Sequence, residues 1–412
     1  MKLHKNRLLN ILFVADVSIA KVIGGAERFL YEQTSGMSKR GHNIHSLTRR
    51  LPYHEKDHEV IQGVHEWRYD YEPGNHCSFI KTTCLNAKKL FEILQMKYNF
   101  DCINFHQPFS AIGINLSAMS SLLPKVYTCH SLSFEEFSSR NTKFNGILHK
   151  LSTFLQIKFR KKIEKYGLNK SNAIAVLSKY TQDKLVSAYN IAEKKIIKIP
   201  GGVDLQKFHP NGDKSLIRKL LNIPQDKLIL FTVRNLVQRM GLENLIFAFH
   251  ELEKKAPDIH LVIGGAGPLK NQLMLLVRNL GIEKKVDFTG FISEEQLPYY
   301  YQMADLFILP TRELEGFGLV TLEALASGLP VLGTPVGGTK EILRKFDPSF
   351  LFKSPDLHLM AELILEKYHW KKHNPQKWEK ISNQCRKFVE NNYSWDKNID
   401  ALEELFAKTL QN

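Results

Sequence analysis

Short apolar runs alternate with stretches of helical spacing along almost the whole chain. In the first half the runs fall at residues 9–15, 44–48, 102–106, 126–130, 173–178 and 196–199. In the second half they fall at 228–233, 260–264, 286–289, 306–309 and 331–333. A continuous apolar run reads as a strand covered on both faces, and strands alternating with helices predict parallel sheets in doubly wound α/β domains. Pro200-Gly201-Gly202 interrupts the series and separates two such domains, residues 1–200 and 201–390. The rest, 391–412, carries one further helical stretch at 395–410.

The segment from Leu306 onward shows the pattern most clearly. Leu306-Phe307-Ile308-Leu309-Pro310 reads as a buried strand, and residues 319–327 as a helix stopped by Gly328 and Pro330. Between them lies Leu314-Glu315-Gly316-Phe317-Gly318. The turn therefore sits at the carboxyl end of a strand, where open α/β sheets bind ligands. Its glycines let the backbone approach a ligand, and the N–H groups of the helix start favour an anion such as a diphosphate. Glu315 stands at the lip of the turn, and Glu323 about one turn into the helix. Carboxylates accepting from vicinal hydroxyls make strong, oriented hydrogen bonds. An anion cradle beside two hydroxyl acceptors describes a nucleotide-sugar site.

The chain has 412 residues, 43% hydrophobic and 24% charged, a globular balance with ample core material. No apolar run is long enough to cross a bilayer. Lys2, Lys5 and Arg7 before Leu8–Ala15 imitate a signal peptide, but Asp16 and Gly24-Gly25 follow, so a first buried strand feeding a glycine loop is the better reading. Five cysteines without a CxxC pair fit a reducing cytoplasm rather than a disulfide framework. The net charge of +15 implies an anionic partner. Part of it is clustered between Arg140 and Tyr166, where Lys143, Lys150, Lys158, Arg160, Lys161, Lys162 and Lys165 accompany Phe144, Leu151, Leu155, Phe159 and Ile163. That is a basic amphipathic helix, either packed on its own domain or lying on the anionic cytoplasmic face of a membrane. No helix-turn-helix, finger or RNA-binding aromatic pattern accompanies the charge, so nucleic acid is not an expected partner.

The ordered set Gly24-Gly25-Ala26-Glu27, Arg40-Gly41-His42, Thr128-Cys129-His130, Pro200 to Asp204, Arg234 to Gly241, Gly264 to Pro268, the two glutamates, and Val331 to Gly338 resembles glycosyltransferase family 4. These are retaining enzymes of the GT-B fold with a Glu-x7-Glu motif. The resemblance covers nearly the whole chain. It implies two Rossmann-like domains facing a central cleft, with residues 391–412 crossing back to the first as a helix. It implies a metal-independent hexosyltransferase that takes a nucleotide diphosphate sugar as donor, without a cofactor, and a glycan or lipid-linked acceptor in cell-envelope polysaccharide synthesis. Glu323 would hold the ribose, Glu315 the sugar hydroxyls, and His130 would stand near the anomeric centre. Gly24, Gly25, Gly316, Phe317 and Gly318 would approach the donor by their backbone, and His106 is an acceptor-side candidate. His42 reads as structural. Phe291 occupies the family's base-neighbouring position, with core packing as its expected role.

The chain departs from the family at one place. The family pattern has arginine where Asn235 stands and lysine where Met240 stands. Arg234 and Arg239 are each one position away, and they are expected to replace the missing pair on the diphosphate, since arginine's fork fits phosphate oxygens. No Asp-x-Asp pair is available to hold a metal with the diphosphate. The alternatives are another GT-B enzyme, such as a nucleotide-sugar 2-epimerase, and a non-catalytic anion-binding surface protein.

Overall fold

The structure, a computed structural model, describes residues 7–140 and 147–411. It divides into two compact units, Met1–Gly201 with Trp395–Asn412, and Gly202–Ser394.

The first unit is built on one sheet. Its strands are β1 (Asn10–Val14), β2 (Asn43–Arg49), β3 (His58–Ile61), β4 (Val64–Tyr69), β5 (Cys102–Phe105), β6 (Lys125–Cys129), β7 (Ala173–Val176) and β8 (Ile196–Lys198). They lie in the order β3-β4-β2-β1-β5-β6-β7-β8, parallel except for β3 against β4. The apolar N-terminal run is the central strand: Ile11 to Val14 are fully buried between β2 and β5. The hairpin β3–β4 was not among the expected strands, because its polar residues break the apolar pattern. Its signal is Gln62-Gly63, whose φ values of 50° and 77° suit the tight hairpin turn that needs two positive angles. The polar strand residues have partners. Glu66 Oε1 accepts from Ser18 Oγ at 2.7 Å and Arg68 Nε at 2.9 Å, and Glu66 Oε2 accepts from Ile19 N at 2.8 Å. These bonds fix the loop that leaves β1.

The helix Trp395–Gln411 belongs to this unit. Trp395 packs edge-on against Phe29, with ring centroids 5.2 Å apart. Gln33 Nε2 donates to Asn398 Oδ1 at 2.9 Å, and Asn398 Nδ2 donates to Pro200 O at 2.7 Å. His42 bridges Leu9 N and Glu403, a structural position.

The second unit carries β9 (Leu228–Val233), β10 (Ile259–Gly264), β11 (Val286–Gly290), β12 (Leu306–Leu309) and β13 (Val331–Gly333), all parallel in the order β11-β10-β9-β12-β13. The chain builds outward from β9 to β11, then returns to the other side of β9. The order thus reverses between β9 and β12, and in the first unit between β1 and β5. Loops leaving the carboxyl ends of strands at such a reversal bound ligand crevices.

The basic stretch is not one element. A helix at Ser133–Arg140 precedes another at Ile147–Lys170, and Lys143 and Phe144 lie outside the described residues. Ile163 and Leu168 of the second helix are buried, so its later half packs on its own domain. Its earlier half exposes Leu151, Phe154, Leu155 and Phe159.

Candidate active site

In the second unit the reversal places two loops side by side. Arg234 to Gly241 follow β9, and Pro310 to Gly318 follow β12. The guanidinium of Arg234 donates to Glu315 Oε2 and, at 3.3 Å, to Thr311 Oγ1. Its Nε and Nη2 lie 3.2 and 2.9 Å from Met240 Sδ. Thr311 Oγ1 donates to Glu315 Oε2 at 3.3 Å. Arg239 Nη1 donates to Leu314 O at 2.8 Å, so both arginines are drawn onto the Glu315 loop. Glycine is required where backbones close on these residues. A Cβ on Gly265 would fall 1.9 Å from Arg234 O, and one on Gly337 would fall 1.8 Å from Glu315 O.

Gly318, with φ 92° and ψ 56°, starts the helix Leu319–Ala326 with no side-chain cap of its own, which leaves the helix start suited to an anion. Phe317 presents backbone there, since its ring is buried near Tyr393. Glu323 lies one turn along, 7% exposed, and its Oε2 accepts from Tyr301 Oη at 2.8 Å.

In the first unit, Gly24 precedes the helix Gly25–Lys39, and both glycines are exposed. Gly24 has φ −155°, ordinary extended backbone. His106 leaves β5 and His130 leaves β6. The two rings are joined, His106 Nδ1 to His130 Nε2 at 3.0 Å, and Phe29 meets His130 edge-on with centroids 4.9 Å apart. Burial pushes the His130 imidazole down to about 4; burial and the neighbouring His130 hold His106 well below the usual histidine range. Both rings are therefore neutral near pH 7. His106 and His130 were expected as separate candidates; they form one pair. His106 Nε2 is buried without a partner among the described residues.

Two families account for this layout. Residues 213–395 match the glycosyl transferases group 1 model, and residues 23–207 match the glycosyltransferase family 4 model. The chain is a group 1 glycosyltransferase. An uncharacterised glycosyltransferase of Methanocaldococcus jannaschii is 26% identical over 385 residues, spanning 91% of this chain and 92% of that one. Among solved structures, the sucrose-phosphate synthase of Thermosynechococcus elongatus superposes with a TM-score of 0.81 at 21% identity, covering 97% of this chain and 98% of the other. Anabaena HepE in complex with UDP and glucose superposes at 0.74 with 17% identity, covering 97% and 100%. The α/β fold with two parallel-sheet domains is that of the GT-B glycosyltransferases.

One reading of this glycosyltransferase needs correction. Phe291 does not pack in the core; it is 56% exposed beyond the end of β11, because Gly290, with φ 73°, turns the chain outward there. Gly338 N donates to Glu315 O at 3.0 Å, so that amide supports the Glu315 loop. Thr311 and Tyr301 were missed by sequence reasoning. Only Tyr301 had a visible signal, an aromatic inside Pro298-Tyr299-Tyr300-Tyr301 at the spacing of a buried helix face.

Proposed function

We propose that this glycosyltransferase is a retaining, metal-independent hexosyltransferase that draws on a nucleotide diphosphate sugar. Its acceptor is a glycan or lipid-linked hydroxyl in cell-envelope polysaccharide synthesis. The observation that carries the reading is the placement of Glu315, Arg234 and Glu323 around the Gly318 helix start at the β9–β12 reversal. Tyr301 holds one oxygen of Glu323 and leaves Oε1 for a ribose hydroxyl. Arg234 brings a cation to the end of the Met240 side chain, where the family pattern carries a lysine. An incoming diphosphate competes with Glu315 for that guanidinium, and Glu315 then turns to the sugar hydroxyls. Arg239 and the amides of Gly316, Phe317 and Gly318 add charge stabilisation as the diphosphate leaves. Exposed Phe291 offers a face for the base. The UDP and glucose bound by the Anabaena neighbour support a nucleotide-sugar donor.

In the first unit, neutral His130 offers a hydrogen bond to a sugar hydroxyl, with its ring fixed by His106 and Phe29. Gly24 and Gly25 let a substrate approach the backbone. The exposed residues Leu151, Phe154, Leu155 and Phe159, at helical spacing and next to Lys158 and Lys162, support an acceptor presented at an anionic membrane face.

A panel of nucleotide sugars tests the reading. One of them should raise the melting temperature, since a ligand that binds the native state stabilises it by mass action. Glu323→Gln should weaken that ligand by roughly 1.5–3 kcal/mol, the scale of a hydrogen bond to a charged group. Transfer should continue in EDTA. A protein that no nucleotide sugar stabilises, or whose transfer stops in EDTA and returns with magnesium, does not fit.

A further inference from the structure

A second concentration of charge lies at the opposite end of the C-terminal sheet. Asp305, directly before β12, is almost fully buried, and three cations converge on it. Lys214 Nζ and Lys371 Nζ reach Oδ1, the first at 2.8 Å, and Arg218 Nη2 reaches Oδ2 at 2.6 Å. Oδ2 also accepts from Ile229 N at 2.8 Å. Burial pushes the Asp305 carboxyl up, yet Lys214, Lys371 and Arg218 outweigh it and hold the group well below the usual carboxylate range. Burial in turn lowers Lys214, and neighbouring Lys371 and Arg218 add to this against the pull of Asp305. Three positive charges against one carboxylate leave an excess of two. Glu379 also lines the space described next, but it is exposed, where solvent screens it.

The two lysines of that cluster face a cavity. Lys214, Asp305 and Lys371 line a space of about 340 Å³, walled by Tyr301, Trp378 and Gly328. That volume lies at the lower end of small-molecule sites, about 300–1,000 Å³. An ammonium carries three donors. Lys214 uses two, on Asp305 and, at 2.7 Å, on Ala304 O; Lys371 uses one on Asp305. One donor on Lys214 and two on Lys371 remain for a ligand. The donor-sugar loops lie at the other end of β12, whose four residues span about 13 Å, so this is a separate place on the sheet.

We propose that this cavity binds a phosphate group, free or as a sugar phosphate monoester. Such a group carries close to two negative charges at neutral pH and offers three strong acceptor oxygens. The three oxygens match the three donors that the lysines leave, and the negative charge suits the positive excess of the Asp305 cluster. The proposal does not rest on the reading of the donor site.

The test is calorimetric titration of the full chain with inorganic phosphate and with glucose 6-phosphate, each with saturating nucleoside diphosphate present to occupy the donor loops. Both probes should bind the unmodified protein. Lys371→Gln and Lys214→Gln should each weaken them at least fivefold, and Lys371→Arg should retain most of the binding. Each glutamine variant leaves Asp305 two of its cations, and a circular dichroism melt checks that the fold survives. Phosphorus NMR line broadening on the unmodified protein gives a second readout that needs no variant. Tighter binding of glucose 6-phosphate assigns the site to sugar phosphates, and equal binding assigns it to free phosphate. No binding of either probe to the unmodified protein, or binding unchanged in both glutamine variants, overturns the proposal.

Discussion

Arg234 crosses from the loop after β9 to donate to Glu315 on the loop after β12, with the sulfur of Met240 at the edge of its guanidinium. A buried carboxylate on its own would be costly, and the pair removes that cost while keeping a cation within reach of an anionic ligand. The departure from the family pattern at Asn235 and Met240 becomes intelligible here. Asn235 is exposed and Met240 is buried, and the guanidinium of Arg234 lies against the end of the Met240 side chain.

This arrangement predicts a specific rescue. Arg234→Ala should weaken nucleoside diphosphate binding by roughly ten- to a hundred-fold, the scale of a lost charged hydrogen bond. It should also lower the melting temperature, because Glu315 is left unpaired. Adding Met240→Lys should recover most of the affinity, since an ammonium would then stand where the guanidinium did. Calorimetry below the melting point decides. Unchanged affinity in Arg234→Ala would remove the cation from the site.

The strands of both sheets other than β3 and β4 were legible as apolar runs, because a parallel strand with apolar residues on both faces cannot hide its composition. The Glu315–Glu323 spacing was legible for a similar reason: strand, turn and helix each announce their ends. What was hidden depends on contacts distant in sequence. Nothing local marks Tyr301 as the partner of Glu323, or His106 as the partner of His130. β4 was hidden because Glu66 and Arg68 are inward-facing polar residues, Glu66 satisfied by a loop 47 or 48 residues away and Arg68 by Glu66 and Lys56 O. Phe291 misled because an aromatic after a strand is usually core, and the positive φ of Gly290 is invisible in a one-letter code.

The buried histidines predict acid sensitivity. Burial, with His65 close by, takes His45 down to about 4, and burial with Arg68 close by does the same to His54. His130 lies at about 4 and His106 is also depressed. In the unfolded chain each returns to about 6.5, so below that pH the unfolded state binds more protons. The stability these neutral rings allow is complete above about pH 6.5 and is lost as the pH falls toward 4, by up to about 1.4 kcal/mol per pH unit for each. Glu164, raised to about 7 by burial, and Glu27, also raised by burial, work in the opposite direction, against these four and against His58 and His76, which burial also lowers. The melting temperature should fall steadily from pH 7.5 to pH 5. A flat profile would mean that these rings are not held neutral by the fold.

The earlier half of the helix Ile147–Lys170 predicts salt-sensitive membrane binding. Arg160 and Lys161 lie over the rings of Phe137 and Phe134 on the preceding helix, whereas Lys158 lies over exposed Phe154 of its own helix, so Lys158 and Lys162 are the cations to test. Each charge near an anionic surface contributes about 1 kcal/mol, and the attraction fades within a Debye length of about 10 Å at 0.1 M salt. Vesicles containing phosphatidylserine should sediment the protein at low salt and release it at high salt. Changing Phe154 and Phe159 to serine with Lys158 and Lys162 to glutamine should abolish sedimentation while donor turnover is kept. If the unmodified protein stays in solution at low salt, those apolar residues serve another purpose.

The most direct test of the central claim is the anomeric configuration of the product. An α-linked nucleotide sugar that the protein accepts should be supplied with a simple alcohol or the glycan acceptor, and the new glycosidic linkage read by proton NMR from its anomeric coupling. The account predicts an α-linked product, formed by the unmodified protein and lost in Glu315→Gln. A β-linked product, or turnover that survives removal of the Glu315 carboxylate, would contradict it.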